Sequence, residues 1–99
     1  MVKIIWTARS LSDLEDIGDF ISKDSPRYAK LTLEKLLEMT KMIKRNQRVG
    51  RIVPELNQED IREIITGNYR IIYQIVNTEL SYILTVHHSS RLLSNNPIY

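Results

Sequence analysis

The sequence predicts an α+β fold of order β-α-α-β-β-β, with a helical hairpin packed on one face of an antiparallel sheet. Three observations predict it. Two long stretches in the first half repeat apolar residues at spacings of three and four, the period of a helix with one buried face. Three runs in the second half are rich in β-branched and aromatic residues and are separated by short turn sequences. The whole chain has 99 residues, enough for one domain spanning 1–99.

Residues 2–6, Val-Lys-Ile-Ile-Trp, read as the first strand. Thr7 can cap the next helix with its hydroxyl. Leu11, Leu14, Ile17 and Ile21 then form the stripe of a helix over 8–23. Ser25-Pro26 starts a second helix, because Ser caps and Pro needs no N–H in the first turn. Ala29, Leu33, Leu36, Thr40 and Ile43 give that helix, 26–46, its core stripe. Leu31 and Met42 fall nearly opposite Ala29, which makes them either isolated exposed apolar residues or a docking patch.

Gly50 closes the helical region, and a loop through Pro54 and 57–60 leads to strands at 61–66, 69–76 and 80–88. Gly67-Asn68 and Asn77-Thr78-Glu79 supply the two turns. Residues 92–99 read as a loose tail or a short turn of helix. Along the middle strand, Tyr69, Ile71, Tyr73 and Ile75 should meet the helices. Arg70, Ile72 and Gln74 should line the opposite face, expected to be bare, concave and cationic.

Composition narrows the function. Apolar residues make up 42% and charged residues 26%, ordinary for a soluble domain. There is no cysteine, and no His spacing with acids suits a metal. No glycine-rich phosphate loop and no Ser-His-Asp signature is present. The expectation is therefore no metal and no cofactor. No apolar run is long enough to span a membrane, and the first residues lack a signal-peptide core, so the cytoplasm is the expected location and no membrane partner is expected. The net charge is +2. Residues 41–51 hold Lys41, Lys44, Arg45, Arg48 and Arg51 without an acid, while Asp13, Glu15, Asp16 and Asp19 crowd the first helix.

Trp6-Thr7, Asp13-Leu14, Phe20-Ile21, Ser25-Pro26, Gly50-Arg51, Val53-Pro54-Glu55, Arg62-Glu63, Tyr69 to Tyr73, and His88 with Arg91 follow one another in an informative order. In that order and spacing the chain resembles the RelE/ParE superfamily of bacterial toxins from type II toxin–antitoxin (plasmid stabilisation) modules. The first-helix pattern and the long second helix look more ParE-like than RelE-like. The resemblance implies a toxin that inhibits growth by binding an essential target, with DNA gyrase favoured. It also implies a cognate antitoxin that wraps the toxin in a hetero-oligomer. The alternatives are a RelE-like endonuclease that cuts mRNA on the ribosome, and an inactive member that binds only antitoxin.

Metal-independent RNA cleavage needs a base, an acid and cations around the phosphorane. His88 or His87 could serve as base or acid, Arg70 as the phosphate clamp, Arg62 and Arg91 as further cations, and Glu55 as a second base. A binding toxin would draw on Arg51, Arg62, Arg70, His87, His88, Arg91, Leu31 and Met42. Adjacent strand residues point to opposite faces, so only one histidine can join Arg70. Parity favours His87 if Leu80, Tyr82, Leu84 and Val86 face the helices; the family spacing His-x-x-Arg favours His88, which is preferred here, a strand end or bulge near residue 87 resolving the conflict. A strict two-residue turn at Gly67-Asn68 would put Arg62 and Arg70 on opposite faces. The plainer use of Arg70 is an ion pair with Glu63. With only Arg62 and Arg70 on the sheet, the nuclease reading is the weaker one, and the chain leans towards not being an enzyme.

Overall fold

The computed structural model describes residues 2–89, 91 and 93–98. Strand β1 is Lys3–Trp6, helix α1 is Ala8–Ser22 and helix α2 is Pro26–Arg45. Strands β2 (Arg51–Ile52), β3 (Ile61–Thr66), β4 (Tyr69–Asn77) and β5 (Leu80–His88) follow, with a 3-10 turn at Leu93–Asn95. The expected order holds, with β2 added; two residues carry too little pattern to be read as a strand. The sheet runs β1-β5-β4-β3-β2. All its pairings are antiparallel except the one between β1 and β5, which is parallel.

The caps form as the sequence directs. Thr7 accepts from Ser10 N, and Ser25 accepts from Tyr28 N with Pro26 in the first turn of α2. Ala29, Leu36, Thr40 and Ile43 are buried along α2. On α1, Leu14 and Ile17 pack against the core, but Leu11 is 54% exposed. The stripe of α1 is rotated so that Ser10 and Asp13 are its buried residues. The reason is polar. Thr7 Oγ1 donates to Ile83 O at 2.8 Å, which pins the helix start to β5.

The main core lies between helices and sheet and includes Leu36, Ile43, Ile64, Ile71, Tyr73, Ile83 and Val86. Tyr69 and Ile75 pack against it, so the assignment of that side of β4 holds. The expectation of a bare opposite face does not hold. There Val53, Ile72 and Leu93 form a second buried cluster, joined by Leu56, Ile61, Leu84 and Ile98. Apolar residues on β3, β4 and β5 leave that face too greasy to stay wet, and the loop after β2 and the C-terminal segment fold over it. Of the two readings of the C-terminal segment, a loose tail or a short turn of helix, the second holds, and the turn at Leu93–Asn95 is docked; Leu92 and Tyr99 lie outside the described residues.

Two details set side-chain direction. Thr66 pairs with Tyr69, so Gly67-Asn68 is a strict two-residue turn, and Gly67 takes φ +56 there. On β5, Ile83 faces Tyr73 while Thr85 faces Ile72, so Leu84 is the extra residue of a bulge.

Candidate functional site

Arg70 lies on the face of β4 turned away from the helices and is 8% exposed. Its Nε donates to Glu63 Oε1 at 2.6 Å. Its two terminal nitrogens donate to the two oxygens of Glu55 at 2.7 and 2.8 Å, a bidentate fork. Glu63 is 1% exposed, and its second oxygen accepts from Arg51 Nε at 2.6 Å. Register brings these groups together. Arg51 pairs with Glu63 across β2–β3, and Glu63 is diagonal to Arg70 across β3–β4. The turn at 53–56 swings Glu55 over the top.

Two cations and two carboxylates therefore neutralise one another. This overturns the expected cationic hollow at Arg70: its guanidinium is committed to two acids, the plainer use foreseen for it. The bidentate hydrogen bonds from Arg70 hold the Glu55 carboxyl down at about 2, and the same bonds raise the guanidinium further. An acid whose folded value is depressed contributes stability that is full above its unfolded value of 4.5 and lost as pH falls from there towards 2. In an acid titration of the thermal midpoint, Glu55→Gln should flatten the slope in that window. The effect should be modest, because the Glu55 side chain is 36% exposed.

Arg62 is on the opposite face, paired with Tyr73, as a strict turn requires. It donates to Glu59 O at 3.0 Å and to Gly50 O at 3.1 Å, stapling the loop. Gly50 itself is enclosed: its N–H donates to the Tyr73 hydroxyl at 2.9 Å, and an added Cβ would come 2.6 Å from Glu63 O. Any side chain there would push β2 off β3.

His87, not His88, shares the face of Arg70, and the two are paired in register. The preference for His88 is corrected by the position of the bulge: it sits at Leu84 and leaves His88 opposite Tyr69, on the helix side. The His88 and Tyr69 rings meet edge to face with centroids 5.3 Å apart. His88 also lines a cleft of about 480 Å³ with Arg9, Asp16, Phe20, Tyr69 and Arg91. Arg91 is exposed, and so are Leu31 at 51% and Met42 at 40% on the outer side of α2.

A second polar chain was not foreseen. The Thr85 hydroxyl donates to Asp13 Oδ2, which also accepts from Val86 N at 3.0 Å, while Arg9 pairs with Oδ1 at 3.1 Å. Asn96 Oδ1 accepts from Ile98 N, so its Nδ2 is the donor to Thr85 Oγ1 and to His87 Nδ1, each at 3.1 Å. His87 then keeps its proton on Nε2 and donates it to Arg91 O at 3.0 Å. This chain ties α1, β5 and the C-terminal turn together. The signal for it was an asparagine, Asn96, in a tail with Leu93 and Ile98 around it. Among the described residues, no group of three or more His, Asp or Glu is placed to hold a metal ion. Nor is any helix there long and apolar enough to cross a membrane.

The fold and this arrangement can be set beside known proteins. No curated protein matches the chain. Among solved structures, it is similar to the chromosomal ParDE toxin–antitoxin system from P. aeruginosa, with a TM-score of 0.71 and 18% sequence identity. That match covers 89% of this chain and 96% of the other, and at such identity it shows a shared fold. The model of the ParE toxin of the type II toxin–antitoxin system parDE matches residues 4–93. With the helical hairpin, the five-stranded sheet and a match over nearly the whole chain, this protein belongs to the ParE toxin family of type II toxin–antitoxin systems.

Proposed function

We propose that the chain arrests growth by binding DNA gyrase without cleaving nucleic acid, and that its cognate antitoxin neutralises it by covering the same surfaces. The observation that carries this reading is that the residues a nuclease would need are either committed to other partners or set on opposite faces of the sheet. Arg70 is saturated by Glu55 and Glu63, and His87 beside it is buried with both ring nitrogens held by Asn96 and the Arg91 carbonyl. Arg62 faces the other way and holds two backbone carbonyls, and His88 lies on the other side of the sheet from Arg70. A phosphorane needs its base, acid and cations within hydrogen-bond reach of one another. The exposed groups suited to binding the target are Arg51, Arg91 and Leu31.

The test is induced expression without antitoxin, followed by pulse labelling of DNA and protein synthesis. The expected result is early loss of DNA synthesis, DNA breaks and filamentous cells while translation continues, unchanged in His88→Ala. Immediate loss of translation with mRNA cut at ribosome-dependent sites would overturn the reading in favour of a ribosome-dependent endonuclease. No growth defect at strong expression would mark the chain as a member that only binds antitoxin.

A further inference from the structure

The outer side of α2 carries an ordered charge pattern that the monomer does not use. Glu34, Glu38, Lys41 and Arg45 follow at spacings of four, three and four, so they share one exposed stripe. Glu34 and Glu38 are like charges one turn apart, and so are Lys41 and Arg45. Such pairs destabilise a helix unless something else offsets them. Among the described residues, Glu38, Lys41 and Arg45 have no ion pair, and Glu34 has only Lys30 at 3.9 Å, both side chains well exposed. Leu37, 44% exposed, and Met42, 40% exposed, flank the stripe on either side. Together they line a groove of about 570 Å³ along the helix.

We propose that this stripe is a self-association surface, and that its occupant is a second copy of the chain with its own α2 running antiparallel. The argument is self-complementarity. A two-fold axis level with the Met39–Thr40 peptide sets Glu34 against Arg45 of the copy and Glu38 against Lys41 of the copy. Each contact occurs twice, so two acids and two bases on each helix are matched without remainder. The axis also keeps each flank on its own side. Leu37 meets Leu37 of the copy on one flank and Met42 meets Met42 of the copy on the other, each offset by about 7.5 Å along the helix. No shift of register and no parallel arrangement pairs all four charges in this way. A contact through one helix of each copy is small beside the roughly 1,000 Å² in total that a stable specific interface clears. The dimer is accordingly weak and loosened by salt, since its ion pairs lie at the surface.

Sedimentation velocity on the purified chain, over a range of protein concentrations at low and high ionic strength, tests this. The expected result is reversible dimerisation that weakens in salt. Glu38→Lys and Lys41→Glu should each raise the dissociation constant about tenfold, because each turns two attractions into two repulsions. The double variant E38K/K41E restores both pairs with reversed sign and should recover the wild-type value. All these positions are exposed, so folding is not at stake, and circular dichroism checks it. A monomer at every concentration would overturn the proposal, and so would self-association indifferent to both reversals. Reversals that weaken only the complex with antitoxin would assign the stripe to that partner and likewise overturn it.

Discussion

Glu63→Ala should lower the unfolding free energy by about 3–5 kcal/mol. Glu63 is 1% exposed and is shared by Arg70 and Arg51. Its removal leaves the Arg70 guanidinium in an almost dry site with only Glu55 beside it. A buried charge stripped of one of two partners loses Coulomb attraction and keeps its desolvation penalty. Arg51 matters less, because its side chain is 60% exposed and water replaces the lost carboxylate. The measurement is the midpoint of urea unfolding, read with an unchanged m-value. The double variant E63L/R70M removes both charges and should recover most of the loss, since a packed apolar pair of similar volume often matches a buried ion pair. A loss under about 1 kcal/mol for Glu63→Ala would mean that water reaches the network.

Asp13→Ala comes second, at about 2–4 kcal/mol. Three donors converge on that carboxylate: the Val86 N–H, the Thr85 hydroxyl and Arg9. The first two are buried and would be orphaned, at about 1–3 kcal/mol each before relaxation. The effect reaches further. Thr85 accepts from Asn96, and Asn96 donates to His87, so the C-terminal turn loses the residue that fixes its polarity. Hydrogen exchange separates this from a general loss of stability. The Val86 and Ile98 amides should lose protection together, while the amides of Ile71 and Ile64 in the main core follow only the global change. Independent behaviour of Val86 and Ile98 would show that the polar chain does not couple them.

The local rules carried most of the fold into view. Period, caps and turns are written in contiguous residues, so α1, α2 and the three long strands appear nearly where periodicity puts them. What stayed hidden depends on pairs far apart in sequence. Strand β2 exists because Gly50 leaves room for β3 and Tyr73. The second apolar cluster needs Val53, Ile72 and Leu93 to meet, and none of them forms a pattern with the others. Arg70 was legible as a candidate, and its pairing with Glu63 was foreseen as the plainer use. The bidentate grip of Glu55 was not, since a loop residue has no periodicity to place it. The two histidines show the same limit. Alternation correctly separates them, but the bulge at Leu84 decides how β5 is phased, and no bulge is announced by Leu-Thr-Val.

Asp13 has one more consequence. Strand β1 stops opposite Ile83, so the last stretch of β5 has no neighbouring strand on that flank. An unshielded row of amides is a template on which foreign chains can add and aggregates can grow. Here a single helical carboxylate occupies that row at the Val86 amide. The same contact that orients α1 thus also acts as a guard against amyloid-like growth along the stretch of β5 that β1 leaves uncovered.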